Sequence, residues 1–154
     1  MKAVLQRVTR AEVRVDGARV GAIEQGLVVL LCVLKGDDEA GARRLAERIA
    51  LFRCFPDEQG RMNRSLAETH RAALVVSQIT LAADGRKGRR PSFDAAAEPE
   101  RARALCATFV TALASLGVRC AEGVFRAHME VELVNDGPVT FLIEEPARAP
   151  EGPP

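Results

Sequence analysis

The sequence contains no tryptophan and no tyrosine, and only six phenylalanines and two histidines. Stacking platforms for unpaired bases are therefore scarce, which argues against a single-strand-binding surface. Neither charge sign dominates: 22 Lys and Arg face 21 Asp and Glu, a net charge of +1. That excludes a polybasic nucleic-acid coat, so any RNA contact must come from a local patch. The four cysteines (Cys32, Cys54, Cys106 and Cys120) form no CxxC pair and match no zinc spacing. Cys32 lies inside the run LVVLLCVL, where a thiol behaves as a small hydrophobe. This run is the longest apolar stretch and is far too short to span a bilayer. The opening MKAVLQRVTRAEVRV is charged at Lys2, Arg7, Arg10 and Glu12 and has no apolar core. It is not read as a secretory signal, and a reducing cytoplasm is the expected address, with no membrane partner. Nucleophile elbows, Walker loops, dinucleotide fingerprints and HExxH helices are also missing.

What is there fits one globular domain. The chain has 154 residues, 47% apolar and 28% charged, which is ordinary for a soluble fold. Residues 2–8 and 11–15 predict strands, and Asp16-Gly17 a hairpin turn before a return strand near 19–23. Residues 27–34 predict a strand covered on both faces. Asp37 or Asp38 caps a helix whose Leu45, Ile49 and Phe52 share one face. Residues 53–71 read as a long irregular loop, and an excursion of that length is often functional. A strand over 72–81, a polar loop over 82–92 and a helix from about 98 to 116 follow. Pro99 suits the first turn of that helix and Gly117 its end. Strands are expected at about 118–124, 129–134 and 139–144, with Asn135-Asp136-Gly137-Pro138 as the turn between the last two. The order βββ-α-β-α-βββ predicts an α/β fold with a mixed, curved, barrel-like sheet and two helices packed on one side. The domain is expected over 1–145. The segment 146–154 holds four of the eight prolines and predicts a flexible tail.

Two segments could carry chemistry. Ser77-Gln78-Ile79-Thr80-Leu81 gathers donors and acceptors where a hydrophobic strand gives way to a loop, the place where α/β sheets hold ligands. It reads equally as a strand with a polar solvent face. Asn135-Asp136-Gly137-Pro138-Val139-Thr140 reads as a plain turn, or as a rigid pair of carbonyl acceptors if the Gly-Pro bond is cis. His70 and His128 are isolated and read as surface or partly buried residues rather than general bases. Arg86, Lys87, Arg89 and Arg90 form either a solvated loop or a phosphate grip.

In order and with their flanks, SQITL (77–81) and NDGPVT (135–140) resemble the marks of the D-aminoacyl-tRNA deacylase family, Ser-Gln-Phe-Thr-Leu and Asn-x-Gly-Pro-Val/Phe-Thr. The opening MKAVLQRVTRAEVRV, LAADGRKGRRPSF (81–93) and MEVELVNDGPVTF (129–141) are similar too, so the resemblance covers roughly residues 1–144. Ile79 departs from the family's Phe; it keeps apolar character and loses a flat ring wall.

The resemblance implies hydrolysis of the ester between a D-amino acid and the terminal ribose of tRNA, and of glycyl-tRNA(Ala), by a homodimer without a cofactor or metal. It implies a catalytic set of Thr80, Ser77 and Gln78. The substrate-binding set is Ile79, Gly137, Pro138, Arg7, Phe93 and Met129. The Gly137-Pro138 turn of one subunit enters the other's pocket in the cis form, excludes L side chains, and is braced by Arg7. An oxyanion site of main-chain N–H groups near 78–80 and the 2′-hydroxyl of the tRNA would do the work of a protein base. Two rival readings stand beside it: a non-catalytic dimeric module that binds RNA or a small ligand, and a cysteine hydrolase, which the apolar setting of Cys32 disfavours.

Overall fold

The computed structural model describes residues 1–86 and 88–147. The chain opens with a 14-residue strand, β1 (Lys2–Val15), where two shorter strands are predicted. It continues because it changes partner instead of stopping. Lys2–Val8 pair antiparallel with β3 (Gly26–Cys32), and Ala11–Val15 with β2 (Ala18–Ile23). Thr9 and Arg10, at the exchange, are exposed and interrupt the alternation that sequence patterning follows. The other edge of β1 pairs along its length with the last strand, β8 (Glu130–Glu144). On its far side β3 runs parallel to β6 (Ala72–Ser77), which runs parallel to β7 (Arg119–Glu122).

The sheet order is β2-β1-β3-β6-β7, with β8 on the free edge of β1. Curvature brings the ends together: a Cβ at Gly21 of β2 would run into the carbonyl of Glu122 in β7. The same lack of side chain lets Gly26 approach the backbone of Ala72. This is the mixed, barrel-like sheet that the order of elements predicts.

Helices α1 (Glu39–Ala50) and α3 (Pro99–Ser115) cover one face. Leu45, Ile49, Leu105, Phe109 and Leu113 pack there with Leu5, Leu27, Val29, Leu31 and Val75. The opposite residues, Val8, Val13, Val28, Leu74 and Val76, fill a second core inside the curve. Period-two alternation thus sends Leu27, Val29 and Leu31 to the helices and Val28 inward, which is why β3 is apolar throughout. Of the two candidate caps, Asp38 is the one used, accepting from the Gly41 N–H at 2.7 Å. Asp37 is buried and takes the Met1 amine at 2.7 Å and the Leu34 N–H at 2.6 Å.

Residues 53–71 correct the expected loop. They form a hairpin, β4 (Arg53–Pro56) and β5 (Met62–Ser65), and a short helix, α2 (Leu66–Thr69). The Asp57 carboxylate closes the hairpin turn, accepting from the Gln59 and Arg61 N–H groups and from Asn63 Nδ2. Ser65 and Glu68 form a reciprocal capping box on α2. The predicted turn at 135–138 is likewise corrected: it is a bulge inside the single strand β8. No helix among the described residues is long and apolar enough to cross a membrane. The expected tail lies largely outside the described residues, which end at Ala147.

Candidate functional site

A cleft of about 480 Å³ opens at the carboxyl ends of the parallel strands β3 and β6. Its floor is Leu31–Val33 and Val76–Ile79. One wall is the start of α3 with Pro99, Ala102 and Cys106; the other is the segment 125–129 between β7 and β8. Such a volume is ordinary for a small-ligand site, and crevices beyond parallel strand ends are where α/β sheets bind.

At the floor the chain changes shape. β6 ends at Ser77, and Ile79–Ala82 form a single 3-10 turn. The Gln78 N–H is spent on the Leu31 carbonyl at 2.8 Å. The turn's own bonds start with Leu81 N–H to the Gln78 carbonyl at 3.2 Å, so the amides of Ile79 and Thr80 precede its first donor. The Gln78 side-chain amide donates to the Thr80 hydroxyl oxygen. The Thr80 hydroxyl therefore keeps its own proton to donate. Ile79 is 57% exposed, an apolar side chain turned out to solvent at the cleft.

The second segment lies elsewhere. The β1–β8 register runs from Gln6–Thr140 to Val8–Asn135, leaving Asp136–Val139 bulged out of the ladder. The Gly137–Pro138 peptide bond in the bulge is cis. A Cβ at Gly137 would run into the backbone of Val139 and the Asn135 side chain, so only glycine fits. Asn135 Nδ2 ties the base of the bulge to the carbonyls of Arg7 (2.9 Å) and Val139 (3.1 Å). Arg7 holds it from below. Its Nε donates to the Asp136 carbonyl at 3.0 Å and meets the Asp136 carboxylate at 3.1 Å, and its Nη1 donates to the Cys54 carbonyl at 2.7 Å.

Of the sequence-predicted residues, Ser77, Gln78, Ile79 and Met129 line the cleft. Thr80 is joined to it through Gln78. Phe93 is exposed on the loop that follows and is not in the lining, and neither are Arg7, Gly137 and Pro138. Within one chain the bulge and the cleft are separate surfaces. In the basic loop, Arg86 grips Asp84 through Nε and Nη2 at 2.8–3.1 Å. That holds the Asp84 carboxyl down at about 2. Arg89 and Arg90 are exposed, and Lys87 lies outside the described residues.

Sequence reasoning missed the walls: Cys106, Phe125, Arg126 and His128 all line the cleft. Spacing could not reveal a wall that tertiary packing assembles from α3 and the β7–β8 connection. Burial pushes the Cys32 thiol up, and pushes Cys54, Cys106 and Cys120 up to about 11. Thiols held protonated in this way are poor nucleophiles near neutrality, which removes the support for a cysteine hydrolase.

Fold and site together define a small α/β protein with a ligand-sized cleft at the ends of parallel strands and a glycine-proline bulge on a separate edge. The model of the D-Tyr-tRNA(Tyr) deacylase family matches residues 4–144, and the chain belongs to that family. A D-aminoacyl-tRNA deacylase of Symbiobacterium thermophilum is 56% identical over 144 residues, which span 94% of this chain and 95% of the relative. One from Geotalea daltonii is 52% identical over 150 residues, covering 97% of this chain and all of the relative. Among solved structures, the c-Myc DNA unwinding element binding protein superposes with a TM-score of 0.90 at 37% identity, over 96% of this chain and 100% of that one. A probable eukaryotic D-amino acid tRNA deacylase shares the fold, with a TM-score of 0.80 at 17% identity over 92% of this chain and 97% of that one.

Proposed function

We propose that this enzyme hydrolyses the ester between a D-amino acid and the terminal ribose of tRNA, releasing the free D-amino acid and the tRNA, and that it also clears glycyl-tRNA(Ala). The observation that carries the reading is family membership over nearly the whole chain, with Ser77, Gln78 and Ile79 of SQITL on the cleft floor. The aminoacyl end enters the cleft over Ser77, Gln78 and Ile79. Water attacks the ester carbonyl, and the amides of Ile79 and Thr80 with the Thr80 hydroxyl stabilise the oxyanion. The carbon–oxygen bond to the ribose then breaks, and the ribose oxygen takes a proton. The tRNA 2′-hydroxyl assists the water, in keeping with a cleft whose thiols are protonated and whose floor carries no carboxylate.

Chirality is enforced by a second copy. Its Gly137–Pro138 bulge closes the cleft; the carbonyls accept from the substrate ammonium and leave no room for an L side chain, while glycine has none to exclude. Three features support a homodimer. The bulge lies outside its own chain's cleft, the outer edge of β8 has no ladder partner among the described residues, and Leu142 on that strand is 62% exposed. Phe93 and Met129 border the substrate, and the reaction takes place in the cytoplasm.

Incubation with D-Tyr-tRNA and L-Tyr-tRNA tests the activity. Loss of only the D ester is expected. Stable binding without turnover would instead mark a non-catalytic RNA-binding module. Sedimentation of the same sample at micromolar concentration is expected to give twice the chain mass.

A further inference from the structure

One cleft residue has no role in the reading above. Arg126 is the sole side chain of fixed charge among those that line the cleft, and it is exposed, which puts it at the rim. Among the described residues it makes no ion pair. No carboxylate lines the cleft; Glu122 acts on Cys106 from outside the lining. The neighbouring Arg103 is engaged differently, its guanidinium 4.8 Å from the centre of the Phe125 ring.

The backbone at Arg126 is unusual. The Ala127 N–H bonds the Val124 carbonyl at 3.1 Å, closing a four-residue turn in which Arg126 is third, with φ of 66°. A positive φ at that place favours glycine or asparagine. An arginine held there against backbone preference, unpaired and facing a cleft, points to a use for its side chain.

We propose that Arg126 grips the phosphodiester on the 5′ side of the substrate's terminal nucleotide, and thereby sets which end of the substrate enters the cleft first. The proposal rests on the aminoacyl-tRNA reading above. An aminoacyl ester has no carboxylate, and its free end carries a cationic ammonium. The nearest anion of the substrate is the phosphate behind the terminal nucleoside. A lone guanidinium at the rim repels the first and attracts the second, so the ester is directed to Ser77–Ile79 at the floor. The planar fork of arginine matches two phosphate oxygens at once. His128, also in the lining, offers a ring N–H donor on the same wall.

Arg126→Gly tests this cleanly, because glycine suits the positive φ and the fold is kept; its melting temperature is expected to be no lower than wild type. The expected result is a rise of about tenfold in KM for D-Tyr-tRNA, with the slope of log KM against log salt reduced by about 0.7, the value for one phosphate of a single strand. The loss on D-tyrosyl-adenosine, which has no phosphate, is expected to be at most a fifth of that. Arg126→Lys, which keeps the charge but not the fork, should recover part of the loss and the full salt slope. Equal losses on both substrates, or an unchanged KM for D-Tyr-tRNA, would overturn the proposal. Binding of a CCA-ended RNA hairpin, followed by fluorescence anisotropy, provides a readout independent of turnover. Arg126→Gly should weaken it about tenfold, and unchanged affinity overturns the grip even if the wild-type enzyme is fully active. Failure of wild type to hydrolyse D-Tyr-tRNA, with hairpin binding still dependent on Arg126, would overturn the assigned activity and leave the grip standing.

Discussion

Arg7 joins the glycine-proline bulge to the body of the chain, and removing it has consequences that can be sized. Its guanidinium is largely covered, with 13% of the side chain exposed. In Arg7→Ala the Cys54 carbonyl, on a residue with 0% exposure, loses its side-chain donor. An acceptor left unpaired in the interior costs about 1–3 kcal/mol. The ion pair to Asp136, whose side chain is 48% exposed, adds about 0–1 kcal/mol. A total of about 1–4 kcal/mol lowers the melting temperature of a chain this size by roughly 3–12 °C, at about 3 °C per kcal/mol. The functional effect follows from position: the bulge keeps its Asn135 ties but loses its grip at Asp136, one residue before Gly137. A displacement of about 1 Å at a substrate-facing group can cost about 100-fold in rate. Deacylation of matched D-Tyr-tRNA and L-Tyr-tRNA, with melting curves on the same samples, reads both quantities. The D rate should fall by about ten- to 100-fold and the ratio of D to L rates should narrow by at least tenfold. Arg7→Lys should recover part of the stability and little of the selectivity, because an ammonium cannot serve Cys54 and Asp136 as a fork. A melting temperature that drops as expected beside an unchanged D-to-L ratio would refute the role of the bulge as a gate.

Three further outcomes are expected. Thr80→Ala keeps its melting temperature, since Thr80 is exposed and surface changes stay within about 0.5 kcal/mol; its kcat falls about tenfold if main-chain amides share the oxyanion, and total loss would make the hydroxyl indispensable. Iodoacetamide at pH 7.5 leaves activity intact, because a Cys106 thiol at about 11 has roughly one part in 3,000 as thiolate. Labelling should appear only as pH rises toward that value, and rapid inactivation at pH 7.5 would refute the protonated state. Asp38→Ala removes the α1 cap and costs about 1 kcal/mol, a drop of roughly 2–4 °C by calorimetry, with kcat for D-Tyr-tRNA unchanged.

How far the sequence could be read depended on where the deciding contact lay. β3, α1 and α3 were legible because Leu27–Leu31 and the Leu105, Phe109, Leu113 stripe carry their own periods and end at recognisable caps. β1 and β8 were misdivided because each holds an interruption that only a partner strand bridges: Thr9-Arg10, where β1 changes neighbours, and Asp136–Val139, which bulges while the strand continues. The hairpin within 53–71 was hidden under Pro, Gly and Asn; the contiguous Ser65-x-x-Glu68 signature of α2 was there to be found. At the site, Ser77, Gln78 and Thr80 showed themselves as polar residues ending an apolar strand. Arg126 and His128 did not, since nothing local says that the β7–β8 connection folds over a strand end.

The proposed division of labour between cleft and bulge rests on where each is anchored. The cleft floor is held by the parallel ladder of β3 and β6, with Gln78 fixed to Leu31. The bulge is held by Arg7 and Asn135 on the antiparallel edge where β1 meets β8, and none of residues 135–140 lines the cleft. Both are hydrogen-bonded into one sheet, and since the bulge is no part of its own chain's cleft, the proposed gate calls for a second copy. Selectivity would then depend on association while the oxyanion groups stay intact in each chain. Dilution below the dimer dissociation constant, or a charge placed at the exposed Leu142, should therefore lower discrimination between D and L esters more than it harms the fold. A Leu142→Asp protein that is monomeric and still discriminates as well as wild type would show that the gate is carried within a single chain.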